Sequence, residues 1–374
     1  MFTEMWQRVR CICGAVQVMA ELKLRYKAND SYHSQYDRYE PIVGNDYIVV
    51  DWMMGNTCNY ACTYCDEEFH DGSTPWPEVD VVLEFTKRLT DHYRKYAPGK
   101  RILWNLLGGE PTVWPKFSEV FHKMKEYDSS SSVRILTNGS RTLRWWEKNA
   151  NIFDEVIISY HPQSADYKHV TDVSNILMDK GTICSIQSAI YPPLLDRCIE
   201  AAKYYHENSK CITHNSKALQ ETLGSNNTFV YPEGAFEILR RYDGQPKHWQ
   251  DIEQSDSKEA VHLVAKRKFL RKSMGKQMRY LNTKTGKSVV FNNPNHIMEQ
   301  GHNTWKGWKC MIGIEALVVQ LNGTITSGNS CFTKLVHGHI NKPDEIDFPT
   351  DGLICPQTWC SCVSDTEVTK IKVK

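Results

Sequence analysis

Tyr47–Met54 (YIVVDWMM) passes through Gly55-Asn56-Thr57 straight into Cys58-Asn59-Tyr60-Ala61-Cys62-Thr63-Tyr64-Cys65. The first stretch is apolar and β-branched, which predicts a buried strand. The second holds three cysteines at C-x-x-x-C-x-x-C spacing, in a loop at that strand's end. Three thiolates this close can converge on one metal centre. Zinc normally takes four ligands, usually as two separated pairs. A three-cysteine loop instead suits an iron–sulfur cluster that keeps one iron open for a non-protein ligand. The plainer alternatives are three loop cysteines without metal, or three-quarters of a zinc site.

Working outward, the pattern becomes regular. Pro77–Tyr96 has helical spacing, with Val81, Val82, Phe85, Leu89 and Tyr93 on one face. Strands are expected at Arg101–Leu107, Val133–Thr137, Asp154–Tyr160 and Thr182–Tyr191. Helices are expected at Lys116–Tyr127, Leu143–Ala150, Ala165–Lys180 and Leu194–Asn208. A weaker sixth strand lies near Cys211–His214. Strands alternating with helices at this spacing mean an α/β fold on a parallel sheet.

The second strand ends in Leu106-Leu107-Gly108-Gly109-Glu110-Pro111-Thr112. Two glycines let backbone approach a ligand closely, and C-terminal strand ends are where α/β folds build sites. Alone, this is a strand–turn–helix. One βα unit after the cysteine loop, it stands where a shared site would need it.

Together these features resemble the radical S-adenosylmethionine enzyme superfamily, over about residues 47–208. The resemblance implies a partial (β/α)6 TIM-like barrel in which Cys58, Cys62 and Cys65 hold a [4Fe–4S] cluster, with S-adenosylmethionine chelating the fourth iron. It implies that Tyr64 lies near the adenine and that Gly108, Gly109, Glu110 and Pro111 contact the methionine amino group. Asn138, in the turn Thr137-Asn138-Gly139, and Ser159 are further cofactor contacts by the same resemblance. The implied chemistry is reductive cleavage to methionine and a 5′-deoxyadenosyl radical, which removes a hydrogen atom from substrate. His161 reads as an acid–base group, a substrate contact, or a loop histidine without a role. Gln187 points either into the barrel or out toward a helix.

A second cysteine group lies near the C-terminus: Cys310, Cys331, Cys355, Cys360 and Cys362. Ala316–Leu321 and Thr324–Thr326 flank Asn322-Gly323, a two-residue hairpin signal. This region resembles the twitch or SPASM appendage of some radical S-adenosylmethionine enzymes, which implies a small β-hairpin, cysteine-rich module with one auxiliary cluster. Five cysteines compete for at most four positions, and a zinc knot on the same thiolates is the alternative.

The expected organisation is an N-terminal extension (1–45), the barrel core (46–214), a linker or helical insertion (215–302) with helices at Glu233–Tyr242 and Lys258–Met274, and the auxiliary module (303–374). Lys266–Arg279 carries seven basic residues and no acidic one. It reads as a helix with a solvated face, or as a patch for phosphate, nucleic acid or an acidic electron donor.

Across the 374 residues, 45 basic and 44 acidic side chains leave a formal charge of +1, which argues against a general nucleic-acid binder. No apolar run reaches the roughly 18–20 residues needed to span a bilayer. Val9–Leu22 is interrupted by Arg10, Gln17 and Glu21 and lacks a clear cleavage site. The chain therefore reads as soluble and cytoplasmic, and its 13 cysteines as reduced thiols and metal ligands. Of the rest, most of Cys11, Cys13, Cys184, Cys198 and Cys211 read as small core residues. Expected partners are a flavodoxin or ferredoxin as electron donor and a peptide or protein substrate, with a nucleotide- or sugar-like small molecule as alternative. Neither a membrane nor a nucleic-acid partner is expected. From a different class, a non-catalytic zinc-binding interaction protein would use the same cysteines.

Overall fold

The computed structural model describes residues 34–43, 46–219, 229–265, 277–292, 294–329, 335–360 and 362–373. In chain order, the elements used below are β1 (Arg38–Val43), β2 (Tyr47–Met53), α1 (Val79–Tyr96), β3 (Arg101–Leu107), α2 (Phe117–Tyr127), β4 (Ser132–Thr137), α3 (Leu143–Asn149), β5 (Glu155–Tyr160), α4 (Tyr167–Asp179), β6 (Ile183–Ile190), α5 (Leu195–Asn208) and β7 (Thr213–Ala218). They continue with β8 (Gln277–Leu281), β9 (Ser288–Phe291), β10 (Trp308–Cys310), β11 (Ala316–Val319), β12 (Thr324–Thr326), β13 (Val336–His339), β14 (Leu353–Ile354) and β15 (Lys370–Lys372). The described residues fall into two compact units: those within 1–51, 80–103 and 271–374 form one, and those within 52–79 and 104–270 the other. The division cuts across the linear segments expected from sequence, because strand pairing joins residues far apart in the chain. Among the described residues, no helix is long and apolar enough to cross a membrane.

The 52–79/104–270 unit carries the expected α/β alternation. Within it, strands β4 to β7 run in the order β4-β5-β6-β7 and pair in parallel. One face is fully buried through Ile135, Val156, Ile158, Cys184 and Ile186. The helices supply the matching apolar stripes, such as Phe117 and Phe121 of α2, Val173 and Leu177 of α4, and Ala201 and Tyr205 of α5. Asp166 starts α4 by accepting from the Lys168 N–H at 2.9 Å. The weak sixth strand is real but lies further on, as β7. Its sequence, THNSKA, is too polar to show a strand's apolar alternation.

The other unit is built on an antiparallel sheet ordered β14-β10-β15-β1-β8-β9. Residues 38–43, expected in an extension, form β1 between β15 and β8. Gln277-Met278-Arg279, read as the tail of a basic helix, begins strand β8 instead. Met278 is buried there, and Arg279 Nε donates to Glu40 at 2.9 Å. The rest of that basic segment, 266–276, lies outside the described residues. Tyr36, Tyr39, Tyr280, Phe291, Trp305 and Trp308 form an aromatic core on this sheet. In the same unit, α1 buries Val82, Phe85, Leu89 and Tyr93, and the Tyr93 hydroxyl donates to Gly313 O at 2.7 Å.

The hairpin β11–β12 forms where expected, but with a different turn. Gly323 N donates to Gln320 O, and Gln320 N to Thr324 O, each at 2.8 Å. This is a three-residue loop, Leu321-Asn322-Gly323, with Gly323 at φ +83°. Glycine there supplies the left-handed residue that follows a type I turn.

Candidate active site

The cysteine loop begins where β2 ends, and the segment after β3 holds its first residues. Met54 N donates to Leu107 O at 2.9 Å, Gly109 N to Gly55 O at 2.8 Å and Glu110 N to Thr57 O at 2.8 Å. The two backbones run so close that a Cβ on Gly108 would lie 2.4 Å from Gly55 O, and one on Gly109 2.4 Å from Thr57 O. Both glycines are therefore required by the chain's own backbone, before any ligand is considered. Beyond them, buried Asn56 organises the rest of the loop. Its amide donates to Glu68 O at 2.9 Å and Asp71 Oδ1 at 2.5 Å, and accepts from Thr74 N at 2.9 Å.

Glu110 is fully buried. Its carboxylate accepts from Thr112 N (3.0 Å), Thr112 Oγ1 (2.6 Å), Thr137 Oγ1 (2.8 Å) and Asn138 N (2.6 Å). Burial raises this carboxyl above its ordinary value, and the four donors oppose the shift. Glu110, expected as a cofactor contact, ties the end of β3 to the end of β4. Pro111 is buried beside it.

Asn138 carries the connection to the cysteines. Its amide donates to Asn59 Oδ1 at 2.9 Å and stands 3.9 Å from Cys58 Sγ. Asn59 donates in turn to Ser140 Oγ at 2.9 Å. The loop's far side is fastened to the ends of β5 and β6. Tyr64 OH and His161 Nδ1 are 2.9 Å apart, with the two rings stacked at 5.9 Å and 18°. Tyr60 meets the same imidazole edge-on at 6.3 Å, and Tyr191 lies 5.2 Å from the Tyr64 ring. Thr63 N donates to Gln163 Oε1 at 2.9 Å. Burial pushes His161 down to about 4, so its ring is neutral at pH 7.

Among the three thiols, Cys58 Sγ accepts from Tyr60 N at 3.4 Å. Burial raises Cys58 and Cys62. Partial burial and the charges of Cys62 and Cys58 push Cys65 up to about 12. The thiols are thus close enough to oppose one another's ionisation. A bound cation reverses that balance, since a coordinating thiol is deprotonated outright. Among the described residues, no three His, Cys, Asp or Glu side chains are gathered tightly enough to hold a single metal ion. The thiols are neighbours rather than a closed cage. Three soft donors on one loop, with N–H groups aimed at sulfur, fit an iron–sulfur cluster.

Residues 52–215 match the family model for the radical S-adenosylmethionine (SAM) superfamily. This segment is similar to radical SAM domains. It is 25% identical over 126 residues to a GTP 3′,8-cyclase of Actinobacillus pleuropneumoniae serotype 5b, covering 34% of this chain and 35% of the cyclase. It is 27% identical over 93 residues to an S-adenosylmethionine-dependent nucleotide dehydratase of Fibrobacter sp., covering 25% of this chain and 28% of the dehydratase. The chain thus spans about a third of the length of these curated relatives. Among solved structures, SuiB of Streptococcus suis aligns with a TM-score of 0.45 at 14% identity, over 82% of this chain and 66% of that one.

Within residues 52–215, sheet register decides the face of Gln187. Ser159 pairs with Gln187, and Gln187 with Asn215. Paired residues of parallel strands leave the same face, so Gln187 points to the side of the expected cofactor contact Ser159. That face is less buried than the helix-covered one.

The second cysteine group lies in the other unit. Cys310 and Cys355 are buried in one apolar cluster with Val49, Ile312, Ala316 and Val368. Cys360 packs against the aromatic core instead. Cys362 is buried and precedes a short helix, Val363–Thr366. Cys331 lies outside the described residues. Cys184, Cys198 and Cys211 are buried free thiols, as expected of core residues, while Cys11 and Cys13 also lie outside the described residues.

Sequence reasoning passed over Asn56, Asn59, Gln163 and Tyr191. Asn56 and Asn59 fill unspecified positions before and in the cysteine motif, Gln163 and Tyr191 carry no motif, and only the folded loop reveals that they fasten it. The single signal for His161 was its place two residues after Ser159.

Proposed function

We propose that this chain is a radical SAM enzyme whose Cys58, Cys62 and Cys65 hold a [4Fe–4S] cluster at the open end of a partial (β/α)6 barrel. The observation that carries the reading is the fastening of this three-cysteine loop to three strand ends, through Gly109 after β3, Asn138 after β4, and His161 and Gln163 after β5. When bound, the cluster supplies the electron that cleaves SAM to methionine and a 5′-deoxyadenosyl radical. The chain's residues hold and shield the reactants. Tyr64 offers its ring to the adenine, backed by neutral His161 and flanked by Tyr191. The backbone after β3 offers polar edges to the methionine end, held in place by Glu110. Ser159 and Gln187 offer side-chain donors and acceptors on one face.

The proposed substrate is a peptide or protein, and the electron donor a flavodoxin or ferredoxin. In the C-terminal unit, the cysteines 310, 331, 355, 360 and 362 include the ligands of one auxiliary cluster. A second reading, a nucleotide-like substrate, is favoured by the names of the two curated relatives, a GTP cyclase and a nucleotide dehydratase. Anaerobic reconstitution followed by dithionite and SAM tests the activity. The expected results are a brown protein with about eight irons per chain, for two four-iron centres, and 5′-deoxyadenosine as product. A colourless zinc protein without that product would overturn the reading. Deuterium transfer into 5′-deoxyadenosine from labelled peptide pools, compared with labelled nucleotides, separates the two substrate classes.

A further inference from the structure

Lys370 lies in β15 with only 1% of its surface exposed. Sheet register sets it between Cys310 of β10 and Tyr39 of β1, so the three side chains leave the same face. Its ammonium donates to the carbonyls of Asp365 at 2.8 Å and Val368 at 3.0 Å. It stands 4.4 Å from the centre of the Trp305 ring and 5.4 Å from that of Tyr39. Among the described residues, no carboxylate lies within ion-pair reach of it. The carboxylate of Asp365 is engaged by Asn329 N at 3.0 Å. Carbonyls and ring faces hold an ammonium in position without neutralising it, and a buried charge without a counter-charge is costly. Two further buried donors, the Tyr39 hydroxyl and the Trp305 indole N–H, find no acceptor among the described residues. Cys310, next to Lys370 in register, shares its apolar cluster with Cys355. Burial raises the Cys310 thiol; Lys370 favours its charged form, and the buried Asp365 carboxylate opposes it. The patch still offers a cation and two idle donors beside two soft ligands, which suits an anionic metal–thiolate centre.

We propose that Lys370 is the counter-charge of an anionic iron–sulfur centre ligated by Cys310 and Cys355, and that it raises that centre's reduction potential. The inference rests on reading the C-terminal cysteines as an auxiliary cluster site. Adding an electron makes such a centre more negative. A fixed cation nearby favours the reduced state, since net charge and hydrogen bonds to sulfur set cluster potentials.

The test uses the full-length protein with Cys58, Cys62 and Cys65 changed to Ala, reconstituted anaerobically so that only the second centre remains. A redox titration followed by electron paramagnetic resonance compares this protein with the same background carrying Lys370→Met or Lys370→Arg. Lys370→Gln serves if the Met variant does not fold. The expected result is a more negative midpoint for Met or Gln and a midpoint near the parent's for Arg. A cluster that assembles in every variant with one unchanged midpoint overturns the role of Lys370 and leaves the cluster reading standing. A parent protein with Lys370 intact that takes up no iron overturns the cluster reading itself, and the role of Lys370 with it.

Discussion

Glu110, without exposed surface, accepts a 2.6 Å hydrogen bond from the backbone N–H of Asn138. That bond joins the glycine turn after β3 to the residue whose amide reaches Asn59 and Cys58. The cysteine loop is thus positioned by a buried carboxylate one βα unit away.

Glu110→Gln keeps the shape but replaces one acceptor oxygen with a donor facing donors. The expected cost is about 2–3 kcal/mol, that of leaving a buried polar group unmatched. The denaturant midpoint of the metal-free protein measures it. An unchanged midpoint would mean the four hydrogen bonds contribute nothing net.

Gly109→Ala sets a methyl group 2.4 Å from Thr57 O. The backbone cannot retreat easily, because Gly109 and Glu110 both donate to the segment they would clash with. Destabilisation of about 1–3 kcal/mol is expected, as for an overpacked site. It should appear with no ligand present. A metal-free protein as stable as wild type, with only SAM binding impaired, would return the glycine requirement to the ligand.

His161 gives the fold a defined response to acid. Burial lowers its folded value to about 4, against an ordinary value of about 6.5. Between these limits the unfolded chain binds more protons than the native state. The histidine's contribution is therefore fully present above about pH 6.5 and is lost as pH falls toward 4, by roughly 3 kcal/mol over the full interval. His161→Gln, which keeps an acceptor for the Tyr64 hydroxyl, should lose less stability than wild type over that range. Parallel pH profiles for the two proteins would show that the imidazole is not buried neutral.

The parallel sheet and the cysteine loop were legible because their signals are local. Strand runs, helical spacing and a motif at a strand's end need no distant partner. Three features depend on pairings that sequence does not show. Arg38–Val43 becomes a central strand only through β15 and β8. Gln187 takes the face of Ser159 only through register. Lys370 meets Cys310 only because β10 and β15 are antiparallel neighbours. Glu110 stands out in the sequence through the Gly-Gly-Glu-Pro turn, but its four donors come from the folded ends of β3 and β4. The hairpin turn was misread because Asn-Gly marks both two-residue turns and the end of a three-residue loop.

The central claim is that Cys58, Cys62 and Cys65 hold the cluster that cleaves SAM. The direct measurement is 5′-deoxyadenosine formed anaerobically from SAM and dithionite by reconstituted wild type, beside the variant with all three cysteines changed to Ala. The account predicts product from wild type, and from the variant none above a protein-free control, with about four fewer irons per chain. Product formation by the variant at the wild-type rate would contradict it.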